Sequence, residues 1–337
     1  MKASIIVCTR NRAGSISETL TALSQLEAAD YEILIVDSSS GSEKEKTAEL
    51  AKQFGAKYVP EPRPGLSLAR NTGVTVATGE IIVFTDDDCV PQKDWLRLTV
   101  NNFSTPEIWA CTARIIQQHT GGASDLFEEV AGQDLGGEKR IFTPKDVQGG
   151  FNFLFANIGK IFAKHMKSRA PAPFGIGHGS SLAFRREAFQ KLGGFDVRFG
   201  AGAPLKGCDD LEMLYRILKS GHSIVYEPAA IVKHKHRLTS DAEHNNGARS
   251  QDTQNTSADE VFKTRYVYSF SGAAFMREFR NNPQMFFMFY GRLVQLMIKN
   301  AQYKLTGKKD LAQSFNHDLR GFLDGIAAHK KYSKVPK

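Results

Sequence analysis

The sequence has few cysteines and no long apolar run. Cys8, Cys89, Cys111 and Cys208 are scattered among 337 residues without the paired spacing of a zinc site or a disulfide framework, so we expect them to be reduced and unligated. No window of about 20 residues is apolar and free of charge, which argues against a transmembrane helix. The N-terminus opens directly into the apolar run Ser4–Val7, with no segment typical of a signal peptide, and a cytosolic protein is therefore expected.

Positive charge is concentrated at one end of the chain. Residues Lys299–Lys337 carry a net charge of +6 out of a total of +8, so the body of the chain is nearly neutral. This distribution argues against a nucleic-acid-binding surface spread over the fold. It suggests a basic appendage that could make a peripheral contact with an anionic membrane, although a solvated basic helix explains it equally well.

The first hundred residues alternate strand and helix patterns. Short apolar runs are followed by amphipathic segments and brief connections, a rhythm that predicts an α/β fold with helices on both faces of a mostly parallel sheet. Ser15 and Glu18 suggest a capping box for the first helix. The predicted strands are Ser4–Cys8, Tyr31–Val36, Lys57–Val59 and the run beginning at Glu80.

The second half is less regular. Residues 115–145 show no sustained periodicity, and the aromatic run Phe151–Phe162 could be core or an apolar acceptor groove. The polar stretch Thr239–Asp259 reads as a loop, which divides the chain into residues 1–238 and a basic, aromatic-rich helical tail over 239–337. The remaining predicted elements are strands Ser181–Phe184, Ser223–Tyr226 and Ala230–His234 and helices Arg186–Leu192 and Asp209–Lys219.

The most informative stretch is the apolar run that ends in Asp86, Asp87 and Asp88. Three adjacent carboxylates repel one another, and a fold that holds them at the end of a strand usually neutralises them with a cation. A divalent metal that holds a phosphorylated substrate is the simplest candidate. Other polar residues also follow predicted strands, namely Thr9 and Asp37, and ligands of open α/β sheets bind at such strand ends.

Taken together, these motifs resemble those of the inverting family 2 glycosyltransferases, which have the GT-A fold. The similarity rests on Thr9-Arg10-Asn11-Arg12, Asp37, Arg70-Asn71 and the aspartate run, and it covers residues 4–236. It implies a Rossmann-like central sheet and a nucleoside-diphosphate sugar as donor, with a UDP-sugar favoured. The donor-binding residues that the resemblance implies are Thr9, Asn11, Asp37, Arg70, Asn71 and Asp86.

The same resemblance implies a metal site for Mn²⁺ or Mg²⁺, formed by Asp86, Asp88 and His234. Oxygen ligands suit either ion. Two points stay open: strand alternation would point Asp87 the other way, and His236 lies close enough to His234 to compete for the assignment. Cys89 is interpreted as an incidental neighbour of the acidic motif.

The acceptor side is implied by a later pair of motifs. The segment Gly179–Arg186 resembles the acceptor-side segment of the family, with Ser181 where asparagine is often found. Asp209 and Asp210 correspond to the Glu-Asp catalytic pair, and we interpret Asp210 as the general base that takes the proton of the acceptor hydroxyl. Both acids would also suit the start of a helix.

The sequence therefore predicts a metal-dependent inverting glycosyltransferase that acts on a glycan or a lipid-linked acceptor in the synthesis of a surface polysaccharide or glycolipid. A catalytically silent GT-A protein that binds nucleotide or glycan is the alternative, suggested by the departures at Ser181 and Asp209. A nucleotidyltransferase is disfavoured because no glycine-rich phosphate loop lies near the N-terminus.

Overall fold

The computed structural model describes residues 1–28, 30–118, 134–147, 176–235, 258–307 and 309–334. The aromatic run Phe151–Phe162, His236 and nearly all of the predicted loop Thr239–Asp259 lie outside these residues. The predicted boundary at residue 238 lies outside them as well, so the division into two domains stays a prediction.

The central element is one mixed sheet. Its nine described strands follow the order β3-β2-β1-β4-β8-β6-β9-β5, with β7 paired to β9. Six of them run in the same direction and β5, β7 and β8 run in the opposite one, which confirms a mostly parallel sheet. The strands are β1 Ala3–Thr9, β2 Tyr31–Asp37, β3 Lys57–Pro60, β4 Ile81–Asp86, β5 Cys89–Pro91, β6 Ile108–Gln117, β7 Arg140–Phe142, β8 Ser181–Arg185 and β9 Ser223–His234.

Helices lie on both faces of this sheet, as the α/β rhythm predicts. The predicted bounds of α5 and α6 are confirmed. The described helices are α1 Ala13–Leu23, α2 Gly41–Gln53, α3 Leu66–Val76, α4 Trp95–Asn101, α5 Arg186–Leu192, α6 Asp209–Lys219, α7 Ala258–Glu278, α8 Pro283–Leu305 and α9 Lys309–Tyr332.

Alternation along the buried strands divides the apolar core in two. Ile5 and Val7 of β1 face one side, where they pack with Leu20 of α1 and with Trp95. Ile6 faces the other side, in the cluster that includes α6 and the C-terminal helices. Both faces of the sheet are therefore covered, as expected for parallel strands that read as continuous apolar runs.

Two of the local predictions above were wrong, and two further features were not among them. Helix α1 begins at Ala13, so Ser15 is inside it and forms no capping box. Arg70 is in the middle of α3. The two strands predicted over 223–234 are one strand, with an irregularity opposite Ala113 and Arg114. Cys89–Pro91 is a short strand, which a proline-containing tripeptide does not signal.

Helices α7, α8 and α9 form a C-terminal extension that packs on the α/β part. Tyr215 of α6 lies against Phe275 and Phe279, with ring centroids 6.0 and 4.5 Å away. Helices α7 and α9 approach very closely, because a Cβ added at Gly325 would lie 2.1 Å from the carbonyl oxygen of Phe270. Of the helices in the described part of the chain, none has the length and apolar character needed to cross a membrane.

Candidate active site

The predicted site residues meet at one edge of the sheet. In the parallel pairing, Thr9 of β1 is opposite Asp37 of β2, and Cys8 is opposite Asp86 of β4. Strand β8 runs antiparallel to β4 and pairs Ser181 with Thr85, so the chain enters β8 at the same edge. The C-terminal ends of three strands and the start of a fourth are therefore adjacent.

His234 reaches the aspartates through the short strand β5. Pairing of β5 with β9 places Cys89 opposite His234, and the His234 Nε2 atom lies 3.1 Å from Asp88 Oδ1. Single ligand atoms of Asp86, Asp88, Cys89 and His234 all lie within 4.8 Å of one another. The three residues predicted to bind a metal are thus brought together.

The donor set of this cluster fits a divalent cation. Two ligands on opposite sides of one Mg²⁺ would be about 4.2 Å apart, close to the spread of this cluster. The hydrogen bond from His234 and the charge of Arg12 outweigh burial and lower the pKa of Asp88 to about 2. Burial raises the pKa of the Cys89 thiol well above its usual value, so carboxylate and imidazole are the available ligands. The chemistry matches Mn²⁺ or Mg²⁺ more closely than a thiolate-bound metal.

Asp87 makes different contacts from its two neighbours. Its carboxylate accepts hydrogen bonds from the Thr9 hydroxyl at 2.7 Å and from the Arg12 guanidinium at 2.6 Å, and Arg12 also contacts Asp88 at 3.0 Å. Burial raises the pKa of Asp87 to about 6, against the lowering effect of Arg12. Asp87 thus fixes the aspartate loop to β1, as strand alternation suggested, and the hydroxyl of Thr9 is engaged with it.

Asp37 lies at the end of β2, on the side of the site predicted to bind the nucleoside of the donor. Its carboxylate accepts hydrogen bonds from the Ser39 amide at 2.8 Å and from the Tyr58 hydroxyl at 2.9 Å. Asn11 has a positive φ of 53°, and its side chain accepts a hydrogen bond from the Ser40 amide. These contacts fix the loops after β1 and β2 in one arrangement, with Asp37 and Asn11 on facing turns.

Arg70 joins the donor half to the acceptor half. Its guanidinium forms a short hydrogen bond with Asp209, donates to the carbonyl oxygen of Gly179 at 3.2 Å and lies 3.8 Å from Asp86. Arg70 is buried and lies over the rings of Phe84 and Phe195. Its charge is therefore largely offset by carboxylates of the protein, and it reaches the donor side through Asp86.

Asp210 is half-buried at the first turn of α6, next to buried Asp209. One oxygen accepts the Leu211 amide at 2.8 Å. The other lies beside Gly179, where an added Cβ would be 3.2 Å away. Burial raises the pKa of both carboxyls above their ordinary value, against the lowering effect of Arg70. A carboxylate with a raised pKa at an accessible helix start can act as a base.

Two predicted site residues have structural partners. The Asn71 side chain donates to the carbonyl oxygen of Phe195 at 2.8 Å and accepts its amide at 2.7 Å, so it fixes the turn after α5. Ser181 is 2% exposed, and its hydroxyl accepts a hydrogen bond from Trp95 Nε1 at 2.9 Å. Neither side chain is directed to the acidic cluster, so their binding roles stay predictions without geometric support.

Sequence reasoning missed two neighbours of the metal cluster. The Ser180 hydroxyl donates to Asp86 at 2.8 Å and lies 2.9 Å from His178 Nδ1. The His178 ring centroid is 5.7 Å from that of His234. Burial, followed by the charge of His234, lowers the pKa of His178 to about 4. Ser180 lies in the segment predicted for the acceptor side, but its contact with Asp86 and the position of His178 were not predicted, because only the antiparallel entry into β8 brings these residues to the aspartates.

Comparison with known proteins decides the family. Residues 4–193, more than half of the chain, match the family model described as glycosyl transferase family 2. The chain belongs to glycosyl transferase family 2. Among curated relatives, the chain is 24% identical to glucosyl-dolichyl phosphate glucuronosyltransferase of Haloferax volcanii over 245 residues, which are 70% of this chain and 69% of the relative.

Another family 2 relative is considerably longer than the matched region. The chain is 23% identical to pre-mycofactocin glycosyltransferase of Mycobacterium tuberculosis over 236 residues, which are 69% of this chain. The alignment covers 42% of that relative's length. The relative therefore contains much sequence that has no counterpart in the alignment.

Solved structures share the GT-A fold. Mannosyltransferase PcManGT from Pyrobaculum calidifontis, in complex with GDP-Man and Mn²⁺, aligns with a TM-score of 0.60 at 20% identity, over 99% of this chain and 88% of that one. GalNAc-T7 with UDP, GalNAc and Mn²⁺ aligns with a TM-score of 0.50 at 19% identity, over 87% of this chain and 55% of that one. The predicted GT-A fold is thus confirmed.

Proposed function

We propose that this family 2 member is a metal-dependent, inverting glycosyltransferase that moves a sugar from a nucleoside-diphosphate donor to an acceptor hydroxyl. The observation that carries the proposal is the link that Arg70 makes between the two groups of acids. Its guanidinium lies 3.8 Å from Asp86, which belongs to the cluster with Asp88 and His234, and it hydrogen-bonds to Asp209, the neighbour of Asp210. A cation site and a carboxylate base at one edge of a sheet are the two groups that this reaction needs.

On the donor side, Asp86, Asp88 and His234 would hold Mn²⁺ or Mg²⁺. When bound, such an ion would neutralise negative charge on the departing diphosphate. Asp37 and Asn11 would bind the nucleoside, and a UDP-sugar is the favoured donor. The structural neighbours were solved with different nucleotides, GDP-Man in one case and UDP in the other. The uracil base of the donor is therefore part of the proposal.

On the acceptor side, Asp210 would take the proton of the attacking hydroxyl. Arg70 hydrogen-bonds to the neighbouring Asp209. Asp209 is thereby held by Arg70 and would not act as the base in place of Asp210. Inversion needs only one such base, because the attacking oxygen displaces the diphosphate directly from the opposite face of the sugar. A lipid-linked or glycan acceptor, and a peripheral membrane contact through the C-terminal helices, belong to the same proposal.

A ligand-binding panel tests the donor side. Thermal unfolding would be followed with UDP, GDP and their sugars, each with and without Mn²⁺. We expect one nucleotide to raise the melting temperature only when Mn²⁺ is present, since a ligand at a hundredfold excess over its Kd stabilises by about 2.7 kcal/mol. The same donor should then be slowly hydrolysed.

Two outcomes count against the proposal. Equal stabilisation with and without Mn²⁺ would contradict metal-dependent donor binding. Nucleotide binding without hydrolysis of any common donor sugar, and without transfer to any acceptor, would favour the catalytically silent alternative. Asp88→Asn, with Asp94→Asn as a control outside the site, assigns any Mn²⁺ effect to the aspartate cluster.

A further inference from the structure

An apolar stripe covers the outer side of helix α8. Its members follow one another at intervals of mostly three or four residues, which places them on one side of the helix. Each is between 45% and 88% exposed. These residues, here called the outer face of α8, are Phe286, Tyr290, Val294, Met297, Ile298 and Leu305.

The outer face is long, and no exposed charged side chain interrupts it between Phe286 and Ile298. From Phe286 to Leu305 it extends over about 29 Å, at a rise of about 1.5 Å per residue. Lys304 is the first charged side chain on α8 that is exposed; Arg292 and Lys299 are half-buried. The opposite side of α8 packs into the bundle, where the Phe289 ring centroid lies 5.0 Å from that of Phe322. An apolar surface of this length is typical of an interaction site.

The exposed charges of the C-terminal bundle are mostly of one sign. Among the side chains described over residues 262–334, every charged residue that is fully exposed is basic. Three acidic residues are described there, and each has a cationic partner: Glu278 pairs with Arg198 and His329, Asp318 with Arg265, and Asp324 with Arg320. Of the three, only Asp324 has a substantially exposed side chain, at 45%. The exposed basic residues are Lys263, Arg280, Lys304, Arg320, Lys330, Lys331 and Lys334.

We propose that the outer face of α8 is a membrane-docking surface that binds the interface of a bilayer containing anionic lipids. An apolar stripe would enter the boundary between headgroups and acyl chains, while exposed lysines and arginines of the bundle would be attracted to anionic headgroups. The helix would lie in the plane of the membrane rather than cross it. We favour an anionic membrane over other partners because its charge is opposite to that of the exposed basic residues.

A second copy of the chain suits the same face less well. Pairing two copies through α8 would oppose two bundles whose exposed charges are mostly basic, and Asp324, the one acid described there with a substantially exposed side chain, already pairs with Arg320. Like charges opposed across an interface are unfavourable. A bilayer with anionic headgroups would cover the same apolar face without this repulsion.

The inference deepens the proposed function, because membrane docking would bring a lipid-linked acceptor to the enzyme. It can nonetheless be tested apart from catalysis. The full chain would be floated with vesicles of phosphatidylcholine alone or with about one-third phosphatidylglycerol, without donor or acceptor. We expect strong flotation only with anionic vesicles, and its reduction by high salt.

The decisive variant is Val294→Asp combined with Met297→Asp. Both positions are exposed, so folding should be preserved, which circular dichroism and melting temperature would check. We expect flotation to fall at least about tenfold, because two charges would have to enter the apolar boundary. The matched control is Ile141→Asp on β7, an equally exposed apolar residue outside the bundle, which should float like the wild type.

Three outcomes would overturn the inference. The wild type could fail to float with either vesicle, or the double variant could float unchanged. Alternatively, light scattering could show a dimer that the double variant dissociates while lipid binding is absent, which would assign the face to self-association. Donor hydrolysis in solution is measured in parallel, so that loss of the proposed function and loss of docking are distinguishable.

Discussion

The guanidinium of Arg70 hydrogen-bonds to Asp209, although 139 residues separate them in the sequence. The same guanidinium lies 3.8 Å from Asp86, which belongs to the cluster with Asp88 and His234. One buried cation thus connects the carboxylates proposed to act on the donor with those proposed to act on the acceptor. This connection makes the two halves of the site interdependent, and the predictions that follow test its parts.

Asp210→Asn should abolish sugar transfer while leaving donor binding nearly intact, because the amide cannot take the acceptor proton. In the wild type, the acidic limb of the pH–rate profile should lie above the usual range of an aspartate, since burial raises the pKa of Asp210 and the base must be ionised. Transfer rates and donor affinity would be measured together. Glu187→Gln, on an exposed part of α5, is the control. Full transfer activity in the Asn variant would refute Asp210 as the base.

Arg70→Ala should destabilise the fold by about 3 kcal/mol or more, because it leaves Asp209 buried without its cation. Urea unfolding would measure this change. The control is Arg97→Ala, whose ion pair with Asp94 is exposed and 3.8 Å long, and which should change stability by less than about 1 kcal/mol. Equal effects of the two substitutions would show that Arg70 has no special structural role.

Ser181→Ala separates a structural role from an acceptor-binding role. The Ser181 hydroxyl accepts a hydrogen bond from Trp95, so its loss should lower the free energy of unfolding by about 1 kcal/mol or more while leaving the KM for acceptor unchanged. Ser180→Ala is the matched comparison, because that hydroxyl contacts Asp86 instead. A large rise in acceptor KM for Ser181→Ala, with stability unchanged, would restore the acceptor-side assignment.

Gly325→Ala should destabilise the C-terminal bundle. A Cβ at that position would lie 2.1 Å from the Phe270 carbonyl oxygen, so helices α7 and α9 must separate, at a cost of about 1 to 3 kcal/mol or more. Gly272→Ala in α7 is the matched control, since nothing lies within 4 Å of its added Cβ and the helix should gain up to about 1 kcal/mol. Melting temperatures that move in the same direction would contradict this packing.

The sequence predicts those features that depend on local pattern. Buried parallel strands are continuous apolar runs, and the polar residues that follow them, such as Asp37 and Asp86, then share one edge of the sheet by topology alone. Helix α6 was predicted at its observed bounds because Asp209 begins it and Gly221 follows it.

Features that depend on distant pairing could not be predicted. The entry into β8 places Ser180 and His178 beside the aspartates, and nothing near these residues in the sequence signals an antiparallel partner. The strand at Cys89 exists because β9 pairs with it, which overrides the weak strand propensity of a tripeptide that ends in proline. The contacts of Arg70 likewise arise only when α3 and α6 meet.

The central claim is that Asp86, Asp88 and His234 bind a divalent cation that the donor diphosphate shares. Calorimetric titration of Mn²⁺ into the chain saturated with UDP, for the wild type and for Asp88→Asn, tests it most directly. We predict one ion per wild-type chain and at least about tenfold weaker binding in the variant, since loss of even an indirect contact to a metal ligand costs that much. Absence of Mn²⁺ binding to the wild type, or equal affinity in the two proteins, would contradict the account.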